Sequence, residues 1–257
     1  MLLIDAGNTR IKWAVPAAGA AGGGWLRQGA VERGAAASLA SAWRAAGLKV
    51  RRACISNVAG PGLRASLQAA LEEAFGADVA VEWFASTAAR AGLRNGYRDP
   101  AQLGCDRFAA AIGARSLFPG EELLVATCGT ATTIDAVSAE GVFEGGMILP
   151  GLGTMATSLA LTTAQLPQVD GMAPPRQPFA DNTVDAIVSG CIAAQAGAIE
   201  HALAERRRAQ PGRPLRCLLA GGAGALLVPH LALGDTPLEK VDNLVLIGLH
   251  AAMAYDG

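Results

Sequence analysis

Two stretches of this chain place small and hydroxyl-bearing residues directly after an apolar run. Near the start, the apolar residues 2–4 lead into Asp-Ala-Gly-Asn-Thr at 5–9. Later, the apolar residues 123–126 lead through Thr-Cys into Gly-Thr-Ala-Thr-Thr at 129–133. Each pattern predicts a buried strand that ends in a tight turn. Because open α/β sheets bind ligands at the carboxyl ends of their strands, two such turns could hold one polyphosphate.

The residue types of the first turn suit a phosphate and a metal ion. Gly7 allows the backbone to approach a phosphate closely, and Thr9 offers a hydroxyl and an amide. Asp5 could hold a hydrated Mg²⁺, which keeps several waters and takes few protein carboxylates. The alternative is an ordinary hairpin turn, since Asp, Gly and Asn all favour turns. The second turn could equally be a Thr-rich strand, but its similarity to the first favours phosphate binding at both.

Asp106 and Arg107 form a candidate acid–base pair. Phosphoryl transfer to an alcohol needs a carboxylate that accepts the hydroxyl proton. A neighbouring guanidinium presents a planar fork to a substrate carboxylate. Spacing alone favours a simpler interpretation, in which the acid complements the dipole of a helix N-terminus.

The elements around these residues predict two similar halves. Helices are predicted at 63–75, at 100–118 with Gly104 to Arg107 in the early turns, and at 184–207, where an extended proline-rich connector precedes the helix. Each half opens with a strand, a turn and a hairpin and continues into helices. This is an internal duplication at a spacing of roughly 120 residues. Pro119 and Gly120 mark the predicted boundary, so that the halves are 1–118 and 119–257.

Composition narrows the class of protein. With 51% hydrophobic and 17% charged residues, the chain is expected to pack as a globule. A net charge of −1 gives no electrostatic reason to expect nucleic acid. The five cysteines are odd in number and lack metal-type spacing, which predicts free thiols in a reducing compartment. No stretch fits a signal peptide or a membrane span, so we expect a cytoplasmic protein without membrane contact.

The motifs, taken in order, resemble those of the type III pantothenate kinases. That family includes the Bvg accessory factors and belongs to the acetate and sugar kinase, Hsp70 and actin superfamily. The resemblance extends over nearly the whole chain. It rests on Asp5-x-Gly-Asn-Thr9-Arg-Ile-Lys12, Asn95-Gly-Tyr97, Leu103-Gly104-Cys105-Asp106-Arg107, Gly129-Thr-Ala-Thr-Thr133, Gly145-Gly-x-Ile148-x-Pro150-Gly151, Thr163-Ala-Gln-Leu-Pro167 and Asn182-Thr183.

The resemblance implies an α/β fold with two duplicated actin-like, that is ribonuclease H-like, halves. Mixed sheets flanked by helices would enclose an ATP cleft between the halves. The implied activity is the ATP-dependent phosphorylation of pantothenate to 4'-phosphopantothenate, the first step of coenzyme A biosynthesis, with Mg²⁺ as the metal ion.

The resemblance also implies a role for individual residues. Asp106 would be the catalytic proton acceptor, and Asp5 would hold Mg²⁺. The residues that would bind ATP are Asp5, Ala6, Gly7, Asn8, Thr9, Arg10, Ile11, Lys12 and Thr130. The residues that would bind pantothenate are Tyr97, Gly104, Cys105, Asp106, Arg107 and Thr183. Members of the family work as homodimers with active sites at the subunit interface, which would explain how Thr183 completes a site.

This chain departs from the family pattern at Thr127. Many members carry Asp there, and that carboxylate helps to hold a monovalent cation, K⁺ or NH₄⁺. Because a neutral hydroxyl attracts a cation less strongly, we expect K⁺ dependence to be reduced or absent.

Two other functions stay open. One is a sugar kinase on the same fold, although Tyr97 with Asp106 and Arg107 favours a substrate that carries a carboxylate. The other is an accessory factor in transcriptional regulation. Neither a helix-turn-helix nor a basic face supports direct DNA binding.

Overall fold

A computed structural model describes residues 1–19, 22–169, 171 and 173–255 of the chain. The strands are β1 (Leu2–Ala6), β2 (Arg10–Pro16), β3 (Trp25–Glu32), β4 (Arg52–Asn57), β5 (Ala80–Trp83), β6 (Ala89–Arg90), β7 (Leu93–Asn95), β8 (Glu122–Cys128), β9 (Ala131–Val137), β10 (Val142–Pro150), β11 (Leu215–Ala220) and β12 (Leu238–Lys240). The α-helices are α1 (Leu39–Ala45), α2 (Pro61–Phe75), α3 (Cys105–Leu117), α4 (Leu152–Thr162), α5 (Thr183–Ala209), α6 (Gly224–Leu227) and α7 (Leu244–Tyr255).

These elements form two compact units. The first contains residues 1–120, residues 140–144 and the chain from Asn243 onward, and the second contains 121–139 and 145–242. The halves predicted at 1–118 and 119–257 differ from these units in three places, because residues 119–120, the start of β10 and the whole of α7 belong to the first unit. The ATP cleft between the halves stays a prediction.

The first unit is built on a five-stranded mixed sheet in the order β3-β2-β1-β4-β5. β1 and β2 are antiparallel with Asp5 opposite Lys12, which confirms the predicted hairpin. β1 and β4 are parallel, and Asp5 is also level with Ser56. Successive residues of β1 from Leu2 to Ile4 are fully buried. That continuous apolar run is typical of a strand covered on both faces.

One face of this sheet packs against α1 and α2. Leu63, Leu67 and Leu71 of α2 are buried at a spacing of four residues, as the predicted helix requires. The ring of Trp43 from α1 stacks on Phe75 with centroids 5.7 Å apart. The apolar periodicity of residues 63–75 therefore correctly predicts which face of α2 is buried.

The helices α3 and α7 cross at unusually short range. A Cβ added to Gly248 would lie 1.7 Å from the carbonyl oxygen of Ala109, and one added to Gly113 would lie 2.6 Å from that of Leu244. Only glycine at both positions permits this approach of the two backbones. Since α3 also contacts β4 and α7 contacts β1, the pair holds the start of α3 in a fixed place beside the sheet.

The helix predicted at 100–118 is shorter than expected. The structure has a 3₁₀ turn at Pro100–Gln102 and begins α3 at Cys105, with Gly104 as its N-cap. The side chain of Asp99 accepts a hydrogen bond from the Ala101 N–H and caps the 3₁₀ turn. Extended backbone at the next two residues then separates this turn from α3, which places Asp106 in the first turn of the helix.

In the second unit the strands follow the order β12-β11-β8-β9-β10. β8 and β9 are antiparallel with Thr127 opposite Thr133, so the second predicted hairpin is confirmed. β8 and β11 are parallel. Mixed sheets flanked by helices, the predicted class of fold, are therefore present in both units.

The long helix α5 belongs to the core of the second unit. By length and composition it could cross a membrane, but half of its most apolar 18-residue window is buried inside the structure. Ile192, Ile199 and Leu203 of α5 join the same apolar cluster as Leu124 of β8 and Leu219 of β11. A core helix of this kind passes the same length and hydropathy test as a membrane span.

Candidate active site

The first predicted phosphate turn is tight and open to solvent. The Gly7 N–H donates to the carbonyl oxygen of Arg10 over 3.1 Å, which closes the turn between β1 and β2. The carbonyl oxygen of Thr9 accepts from the Arg33 N–H over 2.8 Å. Asn8 and Thr9 are exposed. The backbone of the turn is therefore held by hydrogen bonds, while its side chains are accessible to a phosphate.

Asp5 lies half-buried near the end of β1. The pKa of its carboxyl is raised from 3.8 to about 7: burial is the main cause, the nearby charge of Asp106 adds to the rise, and Lys12 opposes it. The two carboxylates are thus close enough to repel each other. A bound cation would offset this repulsion and stabilise the charged form of Asp5.

Asp106 stands in the first turn of α3, folded back toward the helix N-terminus. Its Oδ1 accepts a hydrogen bond from the Arg107 N–H over 2.8 Å. A Cβ on Gly104 would lie 2.8 Å from the same oxygen, so the preceding glycine leaves room for the carboxylate. Burial raises the pKa of Asp106, while the N–H and the charge of Arg107 lower it, and the direction that results is upward.

Cys105 anchors the start of α3 rather than offering a reactive thiol. Its Sγ lies 3.4 Å from Ser56 Oγ and 3.7 Å from the carbonyl oxygen of Asn57, both at the end of β4. Burial raises the pKa of the thiol. We therefore expect Cys105 to contact a substrate through its backbone N–H, because the first N–H groups of a helix have no partner within the helix.

Tyr97, in the loop after β7, and Arg107, in the first turn of α3, are in direct contact. Arg107 is only 7% exposed, and its Nη1 donates to the Tyr97 hydroxyl over 2.9 Å. The buried side chain of Asn95 accepts from the Tyr97 N–H over 3.0 Å and donates to the carbonyl oxygen of Pro100 over 3.1 Å. Asn95 thus fixes the loop that carries Tyr97.

The second predicted phosphate turn is held by its own set of bonds. The Gly129 N–H donates to the carbonyl oxygen of Ala131 over 3.0 Å. The carbonyl oxygen of Thr130 accepts from the Gly151 N–H over 2.9 Å and from Thr154 Oγ1 over 2.7 Å. A Cβ on Gly151 would lie 2.0 Å from the Gly129 carbonyl oxygen, which explains why a glycine directly follows β10. Gly129 and Thr130 themselves are exposed.

Gly221, directly after β11, has a structural reason. Gly221 has φ of +88°, and a Cβ there would lie 2.3 Å from the carbonyl oxygen of Cys128. The Ala223 N–H donates to that same oxygen over 3.2 Å. The glycine at 221 is therefore required by close packing against the end of β8.

Comparison with known proteins assigns the chain to a family. A profile of the type III pantothenate kinases matches residues 1–205. The chain belongs to the type III pantothenate kinase family. A curated type III pantothenate kinase from Janthinobacterium sp. (strain Marseille) is 59% identical over 254 residues, which are 97% of this chain and 96% of the relative. The protein is accordingly a kinase that phosphorylates pantothenate in coenzyme A biosynthesis.

Solved structures share the fold at low identity. One, from Campylobacter jejuni, is provisionally described as a conserved Baf family transcriptional activator; it superposes with a TM-score of 0.59 at 16% identity, over 100% of this chain and 98% of that one. Another, from Sinorhizobium meliloti, is provisionally described as a 2-dehydro-3-deoxygalactonokinase, with a TM-score of 0.58, 16% identity and coverage of 98% and 97%. These likenesses confirm the predicted sugar kinase and actin-like fold of this pantothenate kinase.

Besides Thr130, two further residues of the predicted site lie in the second unit, Thr183 and Thr127. Thr183 is the exposed first residue of α5, where the Asn182 side chain accepts from the Asp185 N–H over 3.0 Å and caps the helix. Thr183 also borders an apolar cavity of about 580 Å³ between α4 and α5. Thr127 is half-buried opposite Thr133, whose Oγ1 is buried without a hydrogen-bond partner among the described residues. Such a neutral pair lacks the charge that would balance a cation.

Neither Asn95 nor Phe143 was predicted to have a role of its own. Asn95 stands in the motif Asn95-Gly-Tyr97, and its burial to 7% exposure is visible only in the structure. Phe143 had no signal, because its position under Tyr97 and Arg107 depends on pairing between distant strands.

Proposed function

We propose that this pantothenate kinase uses Asp106 to accept the proton of the primary hydroxyl of pantothenate during phosphoryl transfer. The hydroxyl oxygen forms a bond to the γ-phosphorus of ATP, the bond from that phosphorus to ADP breaks, and the proton passes to Asp106. The observation that carries the proposal is the raised pKa of Asp106 at the open start of α3. A carboxylate with a higher pKa is a stronger base and a better acceptor near neutral pH.

Pantothenate ends in a carboxylate, which Arg107 would bind. The guanidinium has five donors, and one of them is already directed to the Tyr97 hydroxyl. Backbone N–H groups of Gly104 and Cys105 at the helix start would add donors to the same substrate. Positioning and electrostatics, rather than covalent chemistry, would then supply most of the rate.

The two turns would bind the phosphates of ATP. Residues 5–12 of the first turn would contact the phosphates, with Lys12 as the positive charge, and so would Thr130 of the second turn. Asp5 fits a metal ion because its buried charge, beside Asp106, lacks a full balance from Lys12. When bound there, Mg²⁺ would neutralise charge on the phosphates.

A direct assay tests the substrate and the cation together. Purified protein is incubated with ATP, Mg²⁺ and either pantothenate or a panel of hexoses in Tris buffer, and the phosphorylated product is measured by chromatography. We expect product only from pantothenate, at a rate that K⁺ or NH₄⁺ raises by less than about twofold, because Thr127 is neutral. Background activity that K⁺ restores would contradict the cation part, and hexose turnover would contradict the substrate.

Thr127→Asp is the matched variant for the cation. It restores the carboxylate that many members of the family carry. We expect this variant to respond to K⁺ more strongly than the wild type, measured as the ratio of rates with and without the ion. An equal response of the two proteins would show that residue 127 does not set cation dependence.

The protein would act as a cytoplasmic homodimer in which Thr183 completes the site of the partner subunit. Mixed dimers of Asp106→Asn and Thr183→Ala test this. If Thr183 serves the other subunit, one site of each mixed dimer has both defects and one has neither, so activity returns on mixing. If Thr183 serves its own subunit, both sites stay defective and no activity returns.

A further inference from the structure

Phe143, near the start of β10, lies against the pair of side chains that would bind the pantothenate carboxylate. The residue is fully buried. Its ring meets the Tyr97 ring with centroids 5.7 Å apart at an interplanar angle of 63°. The Arg107 Cζ lies 5.6 Å from the Phe143 centroid and 5.8 Å from that of Tyr97. One guanidinium is therefore within cation–π range of two rings.

The backbone of Phe143 is fixed to the loop that carries Tyr97. Phe143 is the parallel partner of Asn95, and its carbonyl oxygen accepts from the Gly96 N–H over 2.8 Å. A Cβ on Gly96 would lie 2.5 Å from that oxygen, so the Gly that precedes Tyr97 is needed for this contact. Ring and backbone of Phe143 thus act on the same loop.

These contacts restrain a side chain that is otherwise flexible. Arginine loses substantial rotamer freedom when it is held in one orientation. At 7% exposure, Arg107 is also largely removed from water, which strengthens the attraction between its charge and the aromatic rings. An arginine ordered before the substrate arrives binds a carboxylate more tightly than one ordered by it.

We propose that Phe143 is a positioning residue for substrate binding and selection: it holds Arg107 and Tyr97 in the orientation that recognises the carboxylate of the acceptor. This inference rests on the proposed function, in which Arg107 binds pantothenate. It adds a residue that does not touch the substrate but sets how strongly the site prefers a carboxylate to a neutral group.

The test compares Phe143→Leu with Phe84→Leu. Phe84 is a matched control because it is also buried in the first unit, meets the Phe108 ring with centroids 6.1 Å apart, and has its own arginine, Arg90, with Cζ 4.8 Å from the ring centroid. We expect Phe143→Leu to raise the KM for pantothenate about five- to tenfold, with little change in kcat or in the KM for ATP. Phe84→Leu should leave both KM values unchanged, even if it lowers the melting temperature equally.

A second readout uses the analogue of pantothenate in which a CH₂OH group replaces the carboxylate. The ratio of kcat/KM for pantothenate to that for the alcohol should fall in Phe143→Leu and stay constant in Phe84→Leu. A wild-type ratio in Phe143→Leu, or an equal fall in both variants, would overturn the positioning role.

Calorimetric titration with pantothenate separates this inference from the proposed function. If the wild type binds pantothenate without phosphorylating it, the proposed function fails, while weaker binding by Phe143→Leu still supports the positioning role. If the wild type does not bind pantothenate at all, both are overturned.

Discussion

Two acids of the first unit, Asp5 and Asp106, and one buried acid of the second, Glu122, have opposite electrostatic surroundings. Asp5 and Asp106 have raised pKa values, for which burial is the main cause. Burial would also raise the pKa of Glu122, but the Ala139 N–H and the guanidinium groups of Arg206 and Arg213 lower it below its usual value. Glu122 is only 2% exposed and receives hydrogen bonds from all three donors.

The difference distinguishes an acid that stabilises the fold from acids available for chemistry. Glu122 joins the start of β8 to the end of α5, and its charge is balanced inside the protein. Asp5 and Asp106 repel each other, and Lys12 and Arg107 compensate only in part. Perturbed carboxylates of this kind are concentrated at functional sites, where a ligand completes the balance.

The largest expected effect is on turnover by Asp106→Asn. An amide of the same shape cannot accept the proton, so we expect kcat to fall about 10²- to 10⁴-fold. ATP binding, measured by calorimetry, should change little. Asp78→Asn, which alters an exposed carboxyl of the same unit, is the control and should keep wild-type turnover. Near-normal turnover in Asp106→Asn would reject Asp106 as the proton acceptor.

The next effect is on stability, from Glu122→Gln. Removal of this charge leaves Arg206, which is 8% exposed, without its counter-charge, and loss of one partner of a buried pair costs about 3 kcal/mol. Urea unfolding at pH 7 measures the change, while kcat below the melting temperature should stay at the wild-type value.

The pH dependence of the Glu122 effect has a definite sign. Because its folded pKa is lowered, its stabilisation is present above the unfolded pKa of about 4.5 and is lost as pH falls through the folded value. The difference in the free energy of unfolding between wild type and Glu122→Gln should therefore become smaller in acid. A difference that is absent at pH 7 would show that Glu122 does not stabilise the fold.

The smallest effect is a gain in stability from Asp5→Asn in EDTA. The folded pKa of Asp5 is about 7 and the unfolded value is 3.8, so stability is lost as pH rises from the unfolded value through the folded one, and the loss is complete above the folded pKa. We expect a gain of about 1 to 3 kcal/mol at pH 8 that disappears below pH 4, where the carboxyl is protonated in both states. Thermal unfolding at both pH values measures it. An equal gain at both would assign the effect to something other than charge.

Much of the fold was predictable because its signals are local. The apolar runs that end in Asp-x-Gly-Asn-Thr and Cys-Gly-Thr predicted two hairpins, and the structure confirms both. The periodicity at 63–75 predicted α2 for the same reason. The predicted start of α3 was five residues too early. The sequence pattern of a helix continues through Pro100–Gln102, but Asp99 caps a separate short 3₁₀ turn there.

The sequence by itself determined the two turns, the place of Asp106 near a helix start and the family. These depend on residues that are neighbours in the chain. Only the tertiary structure decided that Arg107 meets Tyr97 and Phe143, that Glu122 is balanced by two arginines, and that Asp5 and Asp106 are not fully balanced. The physical reason is that burial and electrostatic interactions sum over all surrounding groups, and most of those groups are distant in sequence.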